Sequence, residues 1–512
     1  MGPKREREWR GMKDCLPEPV NPRQYKTGSS RKSAEEKSDL LRMWIERGMD
    51  LCRWVCQVFE SPMSSPLLSR RHFLAGSAVG VAAVSTRAAN AAAVSDSVPS
   101  RRVVLALIGA GGRGSNHSSG MSRLPGVEFK YVCDIWKDRG DGIMKDLSRV
   151  QKRAPQRISD MRVALDDREV DAVVIATPEH WHALATVMAC QAGKDVYVEK
   201  NPCNAIWEGR KMIEAARKYG RIVQVGFQNR SGPYAASARD YIASGKLGRI
   251  VHVKVYNMLD GSRWEPVPDG PAPAGLDWDA WLGPAPKVPY NAGRHMNWHP
   301  WWDYKGGTLA DDASHQIDLT RMVLGDPGHP RSVLCTGGNY AFQSKREVPE
   351  FQCITYDYGD FSMTCESGNA TPYLRKFPSE VRYGDKWPHW PTSATRVEIY
   401  GTKAMMYLGR HGCGWQVVVE GGRVIDQDKG YFPDKWHQPN FIDCIRSREV
   451  PNADIAKVHP SACLVHLANI SYRVGQKQLY FDPVRERFTN NSSANALLKP
   501  AYRKGYRIPD SV

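Results

Sequence analysis

The sequence predicts an α/β protein whose first folded half is a doubly wound parallel sheet. Three observations predict it. Short runs rich in Val, Ile and Leu alternate with helix-length segments from residue 102 to residue 227. The first run opens directly into a glycine-rich turn. The 512 residues exceed what one compact core holds, so a second domain is expected. With 41% hydrophobic and 25% charged residues, the chain is globular rather than disordered or fibrous.

The chain opens on 62 residues of erratic composition, with basic runs, three Cys, and Trp9, Trp44 and Trp54. From Met63 the pattern changes. Ser69-Arg70-Arg71-His72-Phe73-Leu74 precedes an uncharged stretch, Phe73–Val84, and Ala89-Asn90-Ala91 follows. A basic region, an apolar region and a small-x-small site in that order form an export signal, and the paired arginines resemble the twin-arginine type. At 12 residues the apolar stretch is too short for a stable membrane span, which needs roughly 20. The expectation is that translation begins at Met63, residues 63–91 being the signal and the product being periplasmic or otherwise exported. The alternative is a genuine long leader with a helix over Asp39–Phe59.

This division also deals with the charge. A formal +16 invites a nucleic-acid reading, but residues 1–62 and 63–91 each carry +3, leaving a mild +10 over the remaining 421 residues. With no zinc-finger spacing and no long run of like charge, no nucleic-acid partner is expected. Twelve Cys without a CxxC pair read as buried thiols rather than as a disulfide framework or zinc site.

Arg102–Ile108 is the pattern of a buried parallel strand. It leads into Gly109-Ala-Gly111-Gly112-Arg113-Gly114, a G-x-G-x-x-G turn. The first glycine permits the tight turn, the second lets backbone approach a pyrophosphate, and the third lets the next helix lie close. A second strand, Val127–Cys133, ends at Asp134, 20 residues beyond Gly114. A carboxylate there hydrogen-bonds the adenosine ribose and repels a 2′-phosphate, which favours NAD over NADP; a turn or cap role for Asp134 is the alternative. Asp171–Thr177 is a strand stopped at Pro178, Glu179–Ala192 a helix, and Asp195–Val198 a strand entering Glu199-Lys200. Ile206–Tyr219 is a helix and Ile222–Phe227 a strand. Ligands of such sheets bind beyond the strands' carboxyl ends, where Thr177, His180, His182, Glu199 and Lys200 fall.

The motifs Gly109–Gly114, Ala176-Thr-Pro-Glu-His-Trp-His182, Val198-Glu-Lys-Asn-Pro202 and Gly306-Gly-Thr-Leu-Ala-Asp-Asp-Ala-Ser-His-Gln-Ile-Asp318 together resemble the Gfo/Idh/MocA family of nicotinamide-dependent oxidoreductases. The resemblance covers roughly residues 101–480. It departs in two places: Asn201 stands where the family has the Pro of Glu-Lys-Pro, and Ala313 where it has Gly. It implies a Rossmann domain over 101–228 and an α+β domain with an open, mostly antiparallel sheet over 229–490, followed by a tail, 491–512. Trp278–Pro284 and Val397–Thr402 belong to that second domain, and Asn440–Arg473 supplies a closing helix or helices. It also implies a homo-oligomer built through the open sheet.

Hydride transfer at a secondary alcohol needs a base for the hydroxyl proton and a cation for developing alkoxide charge. Lys200 suits the cation, and the resemblance implies the same. Asp311 and His315, four residues apart, share a face if helical; His315 is the natural acid–base group, with Asp311 orienting its ring or gripping a hydroxyl. Pro178, His182, Glu199 and Gln228 are expected at the cofactor with the glycine turn, Asp134, Thr177 and Lys200. His180 and His182 have the alternative of packing at a helix start. Arg230, Trp301, Trp302 and Tyr304 are substrate candidates, since aromatic faces stack on sugar C–H faces; core packing is the alternative for the tryptophans. No spacing puts His295, His299 and His315 on one face, so no metal is expected.

The expected function is hydride transfer on a sugar or glycoside with a retained NAD. Export of a cofactor-loaded enzyme would require each turnover to restore the cofactor. A redox-neutral glycosidase that oxidises, eliminates, hydrates and re-reduces also meets that requirement. A cofactor-stabilised binding protein is the non-enzymatic alternative.

Overall fold

The structure, a computed structural model, describes residues 102–261 and 264–512. The expected leader and signal lie outside the described residues. Everything described falls in one compact unit.

The first sheet has six parallel strands: β1 (Val103–Ile108), β2 (Val127–Cys133), β3 (Gln156–Ile158), β4 (Ala172–Ile175), β5 (Asp195–Val198) and β6 (Val223–Val225). Their order, β3-β2-β1-β4-β5-β6, is the doubly wound one. The crossover helices are α1 (Gly112–Met121), α2 (Asp141–Val150), α3 (Met161–Asp166), α4 (His182–Gln191) and α5 (Ile206–Lys218). Every residue of β1, β4, β5 and β6 is buried, as strands covered on both faces must be. The expected Glu179–Ala192 helix begins instead as one 3₁₀ turn, Glu179–Trp181, before α4.

After α6 (Pro233–Ala243), the second sheet is built from β7 (Ile250–Met258), β8 (Ser332–Gly338), β9 (Phe351–Asp357), β10 (Ser362–Gly368), β11 (Thr395–Gly401), β12 (Met405–Gly409), β13 (Gly414–Val419), β14 (Arg423–Asp428), β15 (Leu479–Asp482) and β16 (Arg487–Phe488). The order is β14-β13-β12-β11-β7-β10-β9-β8-β15-β16. Every neighbouring pair is antiparallel except β7 and β10, so this sheet is open and mostly antiparallel. Alternate residues of β7, such as Val253 and Val255, are buried against α6 and α7 (Ser314–Val323).

Two helices, α8 (Asp434–Ser447) and α9 (Ile455–Arg473), occupy the segment expected to close the fold. Phe441, Ile442 and Ile445 of α8 join the core of the first sheet, and Val458 and Ala462 of α9 pack on its other face. Residues 491–512 are no loose tail. Lys211 and Lys218 of α5 donate to the carbonyls of Asp510 and Val512, and Arg503 bonds Asp279 and the Gly283 carbonyl. Among the described residues no helix is long and apolar enough to cross a membrane.

Candidate active site at the strand ends

The carboxyl ends of β1, β2, β4 and β5 open into a cavity of about 1180 Å³ that runs from the glycine turn to the second sheet. Its size exceeds the ordinary range for a single small ligand, roughly 300–1,000 Å³. Gly109 sits at φ +94°, and a Cβ there would stand 2.8 Å from the Ala176 backbone. A Cβ on Gly114 would collide with the Gly109 carbonyl. The two glycines let the turn and α1 close on β4, leaving Gly111 and Gly112 bare at the N-terminus of α1, where a pyrophosphate is favoured. Asp134 at the end of β2 accepts from the N–H of Ala110 at 2.8 Å and of Trp136 at 2.9 Å. Thr177 and Pro178 line the cavity, and the buried Thr177 Oγ1 has no partner within the protein. A bare helix N-terminus, a carboxylate at the ribose distance along β2 and an unsatisfied hydroxyl fit a dinucleotide.

Glu199, at the end of β5, does not point to a cofactor as expected. Its carboxylate accepts from Arg113 Nε (2.9 Å), His117 Nε2 (2.7 Å) and Gln228 Nε2 (3.3 Å). Burial opposes its charge, but Arg113 and His117 hold its pKa well below the usual carboxylate range. Arg113 continues to Asp434 at 3.1 Å. The two charges predicted to hold cofactor therefore hold each other, while Arg113, Glu199 and Gln228 all still border the cavity.

Lys200 Nζ donates to the Asp311 carbonyl at 2.5 Å and to Asp311 Oδ1 at 2.9 Å. Lys305 Nζ reaches the same Oδ1 at 2.8 Å and also pairs with Glu179. Burial opposes the charge on Asp311, yet the two lysines keep its pKa well below the ordinary value. Asp311 lies in a π turn, Leu309–Ala313, that runs into α7. It is thus committed to lysines and does not orient the His315 ring as its i, i+4 spacing predicted. Neither His315 nitrogen bonds a protein group among the described residues; the ring lies edge-on to Phe227 at 5.8 Å and borders the cavity. Burial first, then Arg410 and Lys200, push its pKa well below 6.5, so the imidazole is neutral at pH 7. The arrangement sets a neutral base and a lysine side by side at one cavity wall, the pair that alcohol oxidation requires.

Several expected site residues lie elsewhere. His182 is 1% exposed, with Nδ1 on the Asn201 carbonyl (2.5 Å) and Nε2 on the Thr177 carbonyl (2.8 Å). It ties two cavity loops together and touches no ligand space. His180 likewise bonds the Trp281 carbonyl, and burial lowers its pKa to about 4. Arg230 is buried against Asp318 and Asp326, with Nε–Oδ distances of 2.9 Å to Asp318, and is a structural ion pair rather than a substrate contact. Trp301 stacks under the Arg294 guanidinium and meets Trp264, Trp302 packs near Tyr472 and Arg473, and Tyr304 is fully buried. The cavity's tryptophans are Trp136, Trp181, Trp281 and Trp298 instead.

Lys305, Glu179, His299, Asp312 and Arg410 were not anticipated. Lys305 stands one residue before the Gly306–Asp318 motif, so widening that window would have found it. Outside the cavity, His329, Cys463 and Glu486 bring ligand atoms within 4.8 Å of one another. Glu486 already accepts from His459 at 2.8 Å and pairs with Arg210, so the cluster is a buried ion-pair network.

Residues 103–227 match the family model described as oxidoreductase family, NAD-binding Rossmann fold. Residues 237–375 and 424–508 match the oxidoreductase family, C-terminal alpha/beta domain, of the same group. The scyllo-inositol 2-dehydrogenase (NAD(+)) of Bacillus subtilis is 29% identical over 367 residues, 68% of this chain and 88% of that enzyme. The levoglucosan dehydrogenase of Pseudarthrobacter phenanthrenivorans is 29% identical over 179 residues, 35% of this chain and 39% of its own length. Among solved structures, a levoglucosan dehydrogenase complexed with NADH and levoglucosan shares the fold at TM-score 0.54 and 18% identity, over 74% of this chain and 99% of that one. The WlbA dehydrogenase of Bordetella pertussis, in complex with NADH and UDP-GlcNAcA, does so at TM-score 0.55 and 19% identity, over 75% and 99%. With both halves matched in order on one cofactor cavity, the chain belongs to the Gfo/Idh/MocA family and is an NAD-dependent oxidoreductase.

Proposed function

We propose that the enzyme oxidises a secondary alcohol of a sugar or cyclitol, with Lys200, Asp311 and His315 as its working groups. The observation that carries this reading is Lys200 and the neutral His315 on one cavity wall beside the glycine turn. Gly111, Gly112 and Thr177 would hold NAD, which would supply the hydride acceptor for the carbinol carbon. His315 takes the hydroxyl proton, which its free nitrogens and depressed pKa allow. Lys200 donates to the oxygen as negative charge develops, and Asp311 and Lys305 hold that ammonium in place. The sugar reading is supported by relatives that are named for inositol and levoglucosan.

The cofactor is held rather than exchanged. Tyr506, Arg507 and Pro509 of the C-terminal segment border the cavity together with Met161, Arg162 and Met188 on the nucleotide-domain side. This segment covers the nucleotide end. An exported enzyme with a held cofactor must end each cycle in its starting redox state. It does so either by reducing a second sugar or by the oxidation, elimination, hydration and re-reduction of a glycoside.

The test is to purify the protein, identify its bound nucleotide, and add sugars and aryl glycosides while following NADH absorbance. Nucleotide reduction by a free sugar supports the dehydrogenase. Aglycone release without net reduction supports the glycosidase. Bound nucleotide that responds to neither, across inositols, aldoses and glycosides, defeats both.

A further inference from the structure

Around Asp312, next in the chain to Asp311, the same cavity is lined by Lys376, Arg382, Arg410 and His411. Arg410 pairs with Asp312 Oδ1 at 2.6 Å and Lys376 with Oδ2 at 2.9 Å. Arg382 donates Nε to the Phe377 carbonyl at 2.5 Å. Its two terminal nitrogens bond no protein group among the described residues. Two cations therefore share one carboxylate, and a third, Arg382, lines the same cavity with no carboxylate partner among the described residues. The neighbouring Asp311 offers no relief, being taken by Lys200 and Lys305.

His411 does not change this balance. Burial first, then Arg410, Arg382 and Lys376, lower its pKa far below 6.5, so it is neutral and adds no charge. The pyrophosphate is favoured instead at the N-terminus of α1, by Gly111 and Gly112. Cations held together in a half-enclosed cavity repel one another, and an anion of the ligand relieves the cost. A guanidinium with two free terminal nitrogens matches the paired oxygens of a carboxylate, phosphate or sulfate. The four residues also fall between the two stretches, 237–375 and 424–508, that match the family model.

Resting on the sugar reading above, we propose that the substrate is an anionic sugar, whose oxyanion substituent is bound by Arg382, Lys376 and Arg410 while His315 and Lys200 act on a hydroxyl. A neutral polyol would leave the cluster uncompensated.

The test uses the full exported chain with its bound nucleotide and matched sugars: glucose and galactose, their uronates, their 6-phosphates and their 6-sulfates. Nucleotide reduction gives kcat/KM for each, and tryptophan fluorescence gives binding, since Trp281 and Trp298 border the cavity. At least one anionic sugar is expected to exceed its neutral partner about tenfold or more in kcat/KM or affinity, the worth of one charge-assisted contact. Whether the uronate, phosphate or sulfate leads identifies the oxyanion. Arg382→Gln and Lys376→Gln are each expected to lower the anionic-to-neutral ratio about tenfold. Neutral sugars equal to or better than all their anionic partners would overturn the proposal, as would variants that leave the ratio unchanged. Preferential binding of an anionic sugar without nucleotide reduction would uphold the anion site and defeat the oxidation reading.

Discussion

Arg113 Nε lies 2.9 Å from Glu199 Oε1, which joins the glycine turn at the end of β1 to the strand end that carries Lys200. Asp434 takes the other side of the same guanidinium, so α8 is drawn onto the turn as well. The pair sets the spacing between the cofactor cradle and the reacting groups. Glu199→Ala would leave the buried His117 without its carboxylate and Arg113 with Asp434 alone, and a buried polar group stripped of its partner is costly. The expected outcome is a lower Tm, by the same amount with and without added NAD, at unchanged nucleotide affinity. Scanning fluorimetry in both states checks it; weakened retention at unchanged Tm would make Glu199 a direct ligand instead.

Lys200→Ala and His315→Ala are each expected to reduce kcat by about 10²–10⁴-fold while NAD stays bound, since neither residue supports the turn. The pH profile carries a further sign. His315 must be neutral to accept a proton, and its pKa is depressed, so activity is kept through pH 6.5 and lost only as pH falls further. An acid limb centred at or above pH 6.5 would assign the base to another group.

Arg230 separates a structural role from a substrate role. With Arg230 and Asp318 both 2% exposed or less, Arg230→Ala strands a buried carboxylate and is expected to cost about 3–5 kcal/mol. Urea unfolding reads that loss, and KM in the surviving folded fraction stays within about twofold, well under the tenfold that a lost 1.4 kcal/mol contact would give. A tenfold KM increase at unchanged stability would return Arg230 to the substrate site.

The glycine turn and the strand-end positions of Asp134 and Lys200 were legible because they are set locally: a turn that only glycine allows, then a fixed strand length to the next carboxylate. The strands of the first sheet were legible for a similar reason, burial on both faces making continuous apolar runs. The exception is β3, three residues at the sheet edge with no buried position, which carries no hydrophobic signal. Trp301, Trp302 and Tyr304 show the opposite limit. An aromatic run states that large side chains will be covered, but whether by protein or by ligand depends on what Arg294, Tyr472 and Arg473 bring from elsewhere. The pairing of Asp311 with Lys200, 111 positions away, and of Asp312 with Arg410, 98 positions away, is assembled from distant segments. Helical spacing alone suggested Asp311 with His315, because it sees only one element.

The C-terminal segment is anchored through Ile508 and Val512 in the core and through Arg503, while Tyr506 borders the cavity. Tyr506 stacks edge-on against Trp181 at 5.6 Å and lies under the Arg503 guanidinium, while Arg507 pairs with Asp510 on the surface. Removing the Tyr506 ring opens the cavity at this end without disturbing Lys200 or His315. Tyr506→Ala is therefore expected to raise the nucleotide dissociation rate about fivefold, an aromatic contact being worth ~1 kcal/mol beyond the area it buries. The rate of bound-nucleotide reduction by saturating substrate, with NAD in excess to keep the site filled, should remain near that of the parent. The measurement is the fraction of protein retaining NAD after gel filtration, followed over time. Equal retention in variant and parent would show that the strap does not hold the cofactor, and the requirement for a redox-neutral cycle would lose its structural basis.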